Sequence, residues 1–152
     1  MDIFCLSLME IIRFTTKDKK LAKIAFAIRE KVFVIEQKVD PDLEYDEFED
    51  NAQHYLVYLE KKPVATARRR ETEKGTKLER FAILKEYRNK GIGTKLLKFV
   101  LKDVIPLSKY IYIHSQINAL NFYLRNGFKI KGSKFIEADI EHYFMRYEGD
   151  EG

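Results

Sequence analysis

The stretch "ERFAILKEYRNKGIGTKLLKFVL", residues 79–101, passes from an alternating strand pattern through a glycine-containing turn into an apolar helix pattern. Ile92, Leu96 and Val100 recur at the spacing of one helix face. Gly91 and Gly93 allow a tight turn and leave backbone N–H groups uncovered by a Cβ. A helix N-terminus adds unpaired N–H donors and about half a positive charge. The stretch therefore predicts an anion site, for which a phosphate is a natural occupant.

The glycine pattern alone leaves an ordinary turn and a nucleic-acid-binding patch open as alternatives. The dinucleotide fingerprint would need glycine where Leu96 stands. A phosphate loop of the GxxxxGK(S/T) type is absent because the residues after Gly93 stand in the wrong order. The positive charges of Arg88, Lys90 and Lys95 suit either a phosphate-bearing small molecule or a nucleic acid.

Patterns on either side of this turn predict alternating strands and helices. Helical spacing runs from Leu21 to Val32, with Thr16 or Asp18 as the N-terminal cap. Pro106 ends the second helix and Gly127 the third. The predicted order is a strand at 10–16, this first helix, an acidic loop or short broken helix at 37–52, strands at 54–60, 63–72 and 76–85, a helix at 92–104, a strand at 110–116, a helix at 118–128 and a final pair of strands.

The strand at 76–85 follows a hairpin turn in which Gly75 takes the position that tolerates positive φ. Alternation along this strand predicts two faces, one with Leu78, Arg80, Ala82 and Leu84 and the other with Glu79, Phe81 and Ile83. Strands occur both in meander runs and in β–α–β steps. This order predicts an α/β or α+β domain with a mixed sheet, and it argues against a helical bundle or a β-sandwich.

The composition is that of a folded protein. Of 152 residues, 45% are apolar and 34% charged, which excludes a disordered chain. No linker or repeat is visible, so we expect one domain over 1–152. The formal charge of +4 suits an anionic small molecule or a nucleic acid. The single cysteine, Cys5, excludes an intramolecular disulfide, and a reducing compartment, the cytoplasm, is the expected location.

The two ends of the chain lack the strand and helix patterns seen between them. Residues 1–8 are either an extension upstream of a start at Met9 or a loosely ordered N-terminal strand or tail. Asp2 and the short apolar run do not fit a signal peptide. No stretch approaches the about 18 apolar residues of a membrane span, so no membrane partner is expected. Residues 148–152 are predicted to be a solvated acidic tail.

Two motifs together resemble the GNAT family of N-acetyltransferases. Arg88-x-x-Gly91-x-Gly93 resembles the family's coenzyme A-binding motif, Gln/Arg-x-x-Gly-x-Gly/Ala, and "NFYLRNGFKIKG" (121–132) resembles its last helix and strand. Stretches similar to the ElaA-like branch are "REKVFVIEQ" (29–37), "PVATARRR" (63–70), "ERFAILKEYRNKGIG" (79–93) and "FIEADIEHYFM" (135–145). The resemblance covers roughly residues 10–147. It implies a mixed, mostly antiparallel sheet flanked by helices, whose splayed strands hold coenzyme A.

The resemblance implies acetyl-coenzyme A as the cosubstrate. Backbone amides of the glycine turn would bind the pyrophosphate, with charge-assisted contacts from Arg88. Strand 78–84 would offer backbone groups of Phe81 and Ile83 to the pantetheine arm and polarise the thioester carbonyl. The residues expected to bind the cosubstrate are Phe81, Ala82, Ile83, Arg88, Asn89, Lys90, Gly91, Ile92, Gly93, Thr94, Gln116 and Asn121.

The resemblance also implies catalytic roles. Tyr123 matches the family's general acid beside the leaving sulfur, and an ordinary phenol carries its proton at neutral pH. Glu79, expected to point opposite to Arg80, is either the general base or a salt-bridged strand carboxylate. Further candidates near the acceptor are Glu36, Glu44, Asp46 and His54. His114 is expected to be a packed strand histidine.

One position departs from the family pattern. The family commonly has asparagine seven residues before the tyrosine, and this chain has Gln116. The glutamine amide reaches one methylene further, so Asn121 on the following helix is a plausible substitute for its hydrogen bonds. No metal is expected, because Cys5 stands alone and the histidines are far apart in sequence.

The expected activity is transfer of an acetyl group from acetyl-coenzyme A to a primary amine of a small molecule or peptide, by direct attack in a ternary complex. The acidic segment 40–50 either lines the acceptor site and attracts a cation or is simply solvated. Alternatives are a nucleic-acid-binding module that uses "ARRR" (67–70) and the basic stretch 85–95, and a coenzyme-binding sensor without catalysis. Dimers are usual among members of the family, so the resemblance also suggests a homodimer.

Overall fold

The computed structural model describes residues 8–149. Residues 1–7, with Cys5 and most of the predicted N-terminal extension, lie outside the described residues, as do residues 150–152 of the predicted acidic tail. The order of elements along the described part follows the predicted order. The differences lie in the helix predicted at 118–128, in the final strands and in the middle of the strand predicted at 76–85.

Between residues 8 and 149 the sheet has eight strands: β1 Met9–Phe14, β2 Gln53–Leu59, β3 Lys62–Glu71, β4 Thr76–Ile83, β5 Ile111–Gln116, β6 Phe128–Ile130, β7 Phe135–Glu137 and β8 Ile140–Tyr147. Their order is β1-β2-β3-β4-β5-β8-β6, and β7 also pairs with β8. β4 and β5 run parallel, and the other pairs are antiparallel. The predicted mixed, mostly antiparallel sheet is confirmed.

The helices are α1 Lys19–Arg29, which continues as a π-helical segment Glu30–Glu36, α2 Pro41–Glu44, α3 Ile92–Val104 and α4 Leu120–Arg125. Short 3₁₀ turns lie at Glu49–Asn51, Lys85–Tyr87 and Ile117–Ala119. Asp18 caps α1, since its Oδ1 accepts from the Leu21 N–H at 3.1 Å. The helix predicted at 118–128 is α4, and it is shorter than predicted. Its predicted first residues belong to the 3₁₀ turn Ile117–Ala119, and it ends two residues before Gly127.

Apolar side chains pack on both faces of the sheet. On one face α3 buries Ile92, Leu96, Leu97, Val100 and Val104 against the strands, as the helical spacing predicts. On the other face α1 packs Ala25 and Ile28 near Leu56 and Ala82. The sheet is therefore enclosed by helices on both faces, and access to its centre requires a separation between strands.

The predicted faces of β4 hold for Ala82 and Leu84 on one side and for Phe81 and Ile83 on the other, but they are wrong before Arg80. Leu78 packs in the same cluster as Phe81 and Ile83, whereas Ala82 packs in the cluster on the α1 face. The cause is a β-bulge: Thr66 pairs with Ala82 but Arg68 pairs with Glu79, and Arg80 adopts a φ of 58°. One extra residue in a strand reverses the alternation beyond it. Glu79 and Arg80 consequently border the same cavity rather than opposite faces.

The predicted final pair of strands is a set of three. Phe135–Glu137 forms its own short strand, β7, joined to β8 by Ala138 and Asp139, whose φ values are 51° and 61°. Two residues with positive φ are typical of the type I′ turn, which suits the twist of a hairpin. This hairpin brings Glu137 beside β5 and matters for the site described next.

Candidate active site

The glycine turn has the geometry of an anion site. Gly91 precedes α3 with a φ of 82°, and no side chain caps that helix end. The first helical bond runs from the Lys95 N–H to the Gly91 carbonyl at 3.2 Å, so the N–H groups before Lys95 have no partner within the helix. A Cβ on Gly93 would lie 3.0 Å from Ile83 Cδ1, and the glycine thus permits close packing of α3 on β4. Asn89, Lys90 and Gly91 are exposed beside these donors.

The Arg88 side chain has partners other than those the motif predicts. Its Nε donates to the Ile83 carbonyl at 2.9 Å, and its two terminal nitrogens donate to the Glu36 carboxylate at 2.6 and 2.8 Å. The hydrogen bond from Arg88 lowers the pKa of Glu36. Arg88 therefore ties the end of β4 to the π-helical segment, and the anion site consists of backbone amides with Lys90 nearby.

A gap opens between the two parallel strands. β4 and β5 pair at Thr76 with Ile111, Lys77 with Tyr112 and Leu78 with Ile113, and the pairing ends there. Beyond Leu78 the bulge turns β4 away, while β5 stays paired with β8 as far as Gln116. The end of β4 therefore has an unpaired edge toward β5, and an extended ligand can bind there as an additional strand.

Backbone groups of β4 point into this gap. The Leu84 N–H donates to the Val64 carbonyl at 2.9 Å, so alternation turns the backbone groups of Phe81 and Ile83 away from β3 and toward β5. The Ile83 carbonyl already accepts from Arg88, which leaves the Phe81 groups and the Ile83 N–H. Ala82 is two residues before Leu84, so the same alternation turns its backbone groups toward β3 and away from the gap.

A cavity of about 420 Å³ lies at the gap, and Tyr123 of α4 lines it. The ring is 6% exposed and packs edge-on against Phe81, Phe122 and Phe128. Burial raises the pKa of Tyr123 well above its ordinary value, and no hydrogen bond from the described residues contributes to the shift. The hydroxyl is therefore protonated across the physiological range and is able to donate a hydrogen bond.

Asn118 occupies the place that the sequence analysis gave to Asn121. Gln116 lines the cavity, and its Nε2 donates to Oε1 of Gln37 at 2.9 Å. Asn118 also lines the cavity, while Asn121 is exposed on α4 outside it. The reason is the 3₁₀ turn at Ile117–Ala119, which changes the angular positions that a continuous helix would have given.

Glu79 is surrounded by cations. It is 6% exposed, and its carboxylate pairs with Arg68, with Arg70 at 2.8 Å and with Lys77 at 3.3 Å. Burial alone would raise its pKa, but the neighbouring positive charges, Arg68 first, outweigh burial and lower it. A carboxylate with a low pKa is a weak proton acceptor at neutral pH. This arrangement matches the salt-bridged alternative from the sequence.

The acidic segment 40–50 is held by the same ion-pair network. Glu44 pairs with Arg29, and Asp46 pairs with Arg68 at 2.8 Å and Arg80 at 3.1 Å. Burial opposes ionisation of Asp46, but its hydrogen bond with Arg68 lowers the pKa to about 2. Glu44 and Asp46 do line the cavity, yet their charges are neutralised by arginines. Glu44, Asp46 and Glu49 of this segment are thus paired with arginines, whereas Asp40, Asp42 and Glu47 are exposed.

The remaining base candidates lie elsewhere. Glu36 pairs with Arg88. His54 is 1% exposed and stacks on Phe14, its Nε2 lies 3.0 Å from the Glu49 carbonyl, and burial lowers its pKa. It is a packed histidine of β2, outside the lining of the cavity.

The "ARRR" segment does not form a basic surface. Arg68 is 1% exposed and Arg69 is 8% exposed. Arg69 donates to the Tyr55 hydroxyl at 2.7 Å on one face of β3, while Arg70 lies over the Phe48 ring and pairs with Glu79 on the other face. These guanidinium groups are used inside the fold, and this arrangement removes the main support for the nucleic-acid alternative.

A polar cluster that was not predicted from the sequence also lines the cavity. His114 of β5 and Glu137 of β7 are in hydrogen-bond contact, Nδ1 to Oε1 at 3.1 Å. His142 of β8 lies with Nε2 3.9 Å from Glu137 Oε2, and its Nδ1 is 2.7 Å from the Ile140 carbonyl. His114 packs against Phe135 and Phe144 within its strand, as expected, and it also lines the cavity that Tyr123 lines.

Residues 16–149 match a family model described as an acetyltransferase (GNAT) domain. The chain belongs to the GNAT family of acetyltransferases. The uncharacterized N-acetyltransferase YjcF of Bacillus subtilis is 36% identical over 132 residues, which cover 85% of this chain and 94% of YjcF. The family resemblance inferred from the two motifs is thereby confirmed.

Solved structures share the GNAT fold. ElaA of Escherichia coli has a TM-score of 0.82 at 22% identity, with 92% of this chain and 99% of ElaA covered. A GNAT family acetyltransferase from Elizabethkingia anophelis with acetyl-CoA bound has a TM-score of 0.67 at 19% identity, covering 91% and 95% of the two chains.

Residues 8–149 of this GNAT domain contain neither a candidate metal centre nor a candidate membrane-spanning helix. Between residues 8 and 149, no group of three or more His, Cys, Asp or Glu side chains is arranged to hold a metal ion. No helix in the same range has the length and apolar character needed to cross a membrane.

Proposed function

We propose that this GNAT acetyltransferase moves the acetyl group of acetyl-coenzyme A to a primary amine by direct attack in a ternary complex. The observation that supports this proposal best is the single cavity at the β4–β5 gap. Tyr123 and Phe81 line this cavity, and so do His114, Glu137 and Asp46. Because both sets share one space, an amine and a thioester held there at the same time are within reach of each other.

In the proposed complex, the pyrophosphate lies at the N-terminus of α3. The free N–H groups before Lys95 and the exposed Lys90 stabilise its charge. The pantetheine arm follows the open edge of β4, where the Phe81 groups and the Ile83 N–H pair with its amides. We do not assign such a contact to Ala82, which faces β3, or to Asn121, which lies outside the cavity.

The proposed chemistry uses Tyr123 as the donor to the leaving group. The neutral amine attacks the thioester carbonyl carbon, the C–S bond breaks, and the sulfur leaves as a thiolate that takes up a proton. A protonated phenol hydroxyl stabilises the thiolate by hydrogen bonding as the charge develops. Glu79 contributes by fixing Arg70 and Lys77 at the wall of the cavity and by pairing with the buried Arg68, rather than as a strong base.

A transfer assay tests this proposal. The full chain is incubated with acetyl-coenzyme A and a panel of primary amines that includes polyamines, amino sugars, amino acids and a peptide with a free N-terminus. Free thiol is followed by colour and acetylated product by mass. Stoichiometric thiol and acetyl-amine support the proposal. Coenzyme binding without amine-dependent thiol release would instead favour the non-catalytic sensor.

A further inference from the structure

The His114–Glu137 contact defines the state of the imidazole. A carboxylate accepts hydrogen bonds, so His114 donates through an Nδ1–H and, when neutral, carries its lone pair on Nε2. Within residues 8–149 no hydrogen bond is made at that Nε2. The side chain is 22% exposed and lines the cavity, so a ligand can reach it.

The carboxylate is well placed to stabilise a charged imidazole. Glu137 is ionised at neutral pH, since the hydrogen bond from His114 lowers its pKa to about 2. Its second oxygen faces His142 Nε2 at 3.9 Å. The orientation of His114 is also restricted by the rings of Phe135 and Phe144, whose centroids lie 5.1 and 5.6 Å from the imidazole centroid. A base oriented by a third group is the arrangement that proton-transfer sites use.

None of the other candidates at the cavity has these properties, and Glu44 and Asp46 are paired with arginines. Glu79 is engaged by three cations. His142 is 6% exposed, its Nδ1 is directed at the Ile140 carbonyl and its ring is stacked on Phe135. His114 therefore combines a free acceptor nitrogen, access to the cavity and a carboxylate partner.

We propose that His114, oriented by Glu137, accepts the proton of the incoming ammonium group, an assignment that rests on the proposed acetyl transfer. The ammonium gives one proton to His114 Nε2, and Glu137 balances the resulting imidazolium. The neutral nitrogen then attacks the thioester carbonyl carbon and the C–S bond breaks. The Tyr123 hydroxyl stabilises the leaving thiolate by hydrogen bonding, and the thiolate takes up the second proton, which the acetylated nitrogen gives up. The His114 proton passes to solvent, which completes the balance.

The test combines kinetics with imidazole NMR on the full chain. His114→Gln is expected to lower kcat/KM by roughly 100-fold or more for any amine that the native protein acetylates. Calorimetric affinity for acetyl-coenzyme A should not change. Glu137→Gln should cause a smaller loss of rate. The matched carboxylate control is Glu141→Gln, whose side chain pairs with Lys134 away from the cavity and whose loss should leave the rate unchanged.

Long-range ¹H–¹⁵N spectra report which nitrogen of each imidazole carries the proton. The chain has three histidines, so each signal can be assigned by substitution. We expect His114 to be protonated at Nδ1 at pH 8, and Glu137→Gln to change this preference while leaving the buried His54 signal unaltered. A merely structural Glu137 would not affect the tautomer.

The outcomes separate this inference from the proposed function. A His114→Gln protein that acetylates an amine at the native rate overturns the base assignment and leaves acetyl transfer intact. Loss of coenzyme binding or amine turnover in the native protein contradicts the proposed function instead. In that case the spectra still test whether Glu137 orients His114. A proton on Nε2 of His114 overturns this pairing, and an Nδ1 proton that responds to Glu137→Gln supports it.

Discussion

Removing the Tyr123 hydroxyl should lower the rate while leaving the fold intact. Tyr123→Phe deletes one oxygen and preserves the ring, which packs against Phe81, Phe122 and Phe128. The raised pKa has burial as its cause, with no hydrogen bond from residues 8–149, so the substitution leaves no donor or acceptor unpaired in the described part of the chain. The free energy of unfolding should therefore change by less than about 1 kcal/mol.

The expected loss of rate follows from the same observation. A phenol whose pKa is raised is a weak acid, and its main contribution is a hydrogen bond to the developing thiolate. Hydrogen bonds to charged groups contribute about 1.5–3 kcal/mol. At about 1.36 kcal/mol per factor of ten, kcat should fall roughly 10- to 150-fold. The affinity for acetyl-coenzyme A should barely change, because the thiolate exists only late in the reaction.

The assay measures amine-dependent thiol release, with calorimetry and thermal unfolding as companions. Tyr143→Phe is the matched control: it is a partly buried tyrosine of β8 that packs on the same core but does not line the cavity. Its rate should equal that of the native protein. Full turnover by Tyr123→Phe would refute the reasoning, and a large loss of stability would show that the hydroxyl has a structural partner.

Three further predictions concern stability. Gly75→Ala should lower the free energy of unfolding by roughly 3 kcal/mol, because the φ of 145° is strained for alanine and its Cβ would lie 2.2 Å from the Tyr110 carbonyl oxygen. Gly132→Ala, with a φ of 91° and open space around the added Cβ, should lower it by about 1 kcal/mol. Equal melting temperatures for the two variants would contradict this prediction. Arg68→Met should cost about 3–5 kcal/mol in urea unfolding, since it leaves buried carboxylates without their cation, while Arg13→Met on the exposed Asp103 pair should cost under about 1 kcal/mol. Asp46→Asn should lower the free energy of unfolding by about 2 kcal/mol at pH 7. Because the pKa of Asp46 is lowered in the folded state, its stabilisation is present above the unfolded pKa and is lost as pH falls through about 2, so the difference from the native protein should vanish near that pH. A difference independent of pH would count against the ion pair.

The sequence predicted those elements whose signals are local. The spacing of apolar residues in α1 and α3, the cap at Asp18 and the stop before Pro106 depend on near neighbours, and the structure agrees. The glycine turn was also predictable, since Gly91 and Gly93 perform backbone roles that few other residues can. These features were sufficient to indicate the family.

The remaining features depend on long-range geometry. The bulge at Arg80 put Leu78 on the opposite face from the predicted one, and strand alternation gives no warning of an extra residue. The 3₁₀ turn before α4 placed Asn118 rather than Asn121 in the cavity. The partners of Arg88 and Glu79 lie on other elements, so spacing could not show that both side chains are already ion-paired.

The histidine cluster shows the same limit. His114, Glu137 and His142 belong to three strands, and they meet because β8 pairs with both β5 and β7. The short segment Phe135–Glu137 was the one available signal. Reading it as a strand followed by a two-residue turn at Ala138 and Asp139 would have placed Glu137 at the sheet.

Calorimetric titration of the full chain with acetyl-coenzyme A tests the central claim most directly. The account predicts saturable binding of one acetyl-coenzyme A per chain with a Kd below about 1 mM, weakened when Gly91 is replaced by valine, because a β-branched residue is strained at a φ of 82° and disturbs the amides before α3. Absence of binding up to about 1 mM, or equal affinity in Gly91→Val, would contradict the account.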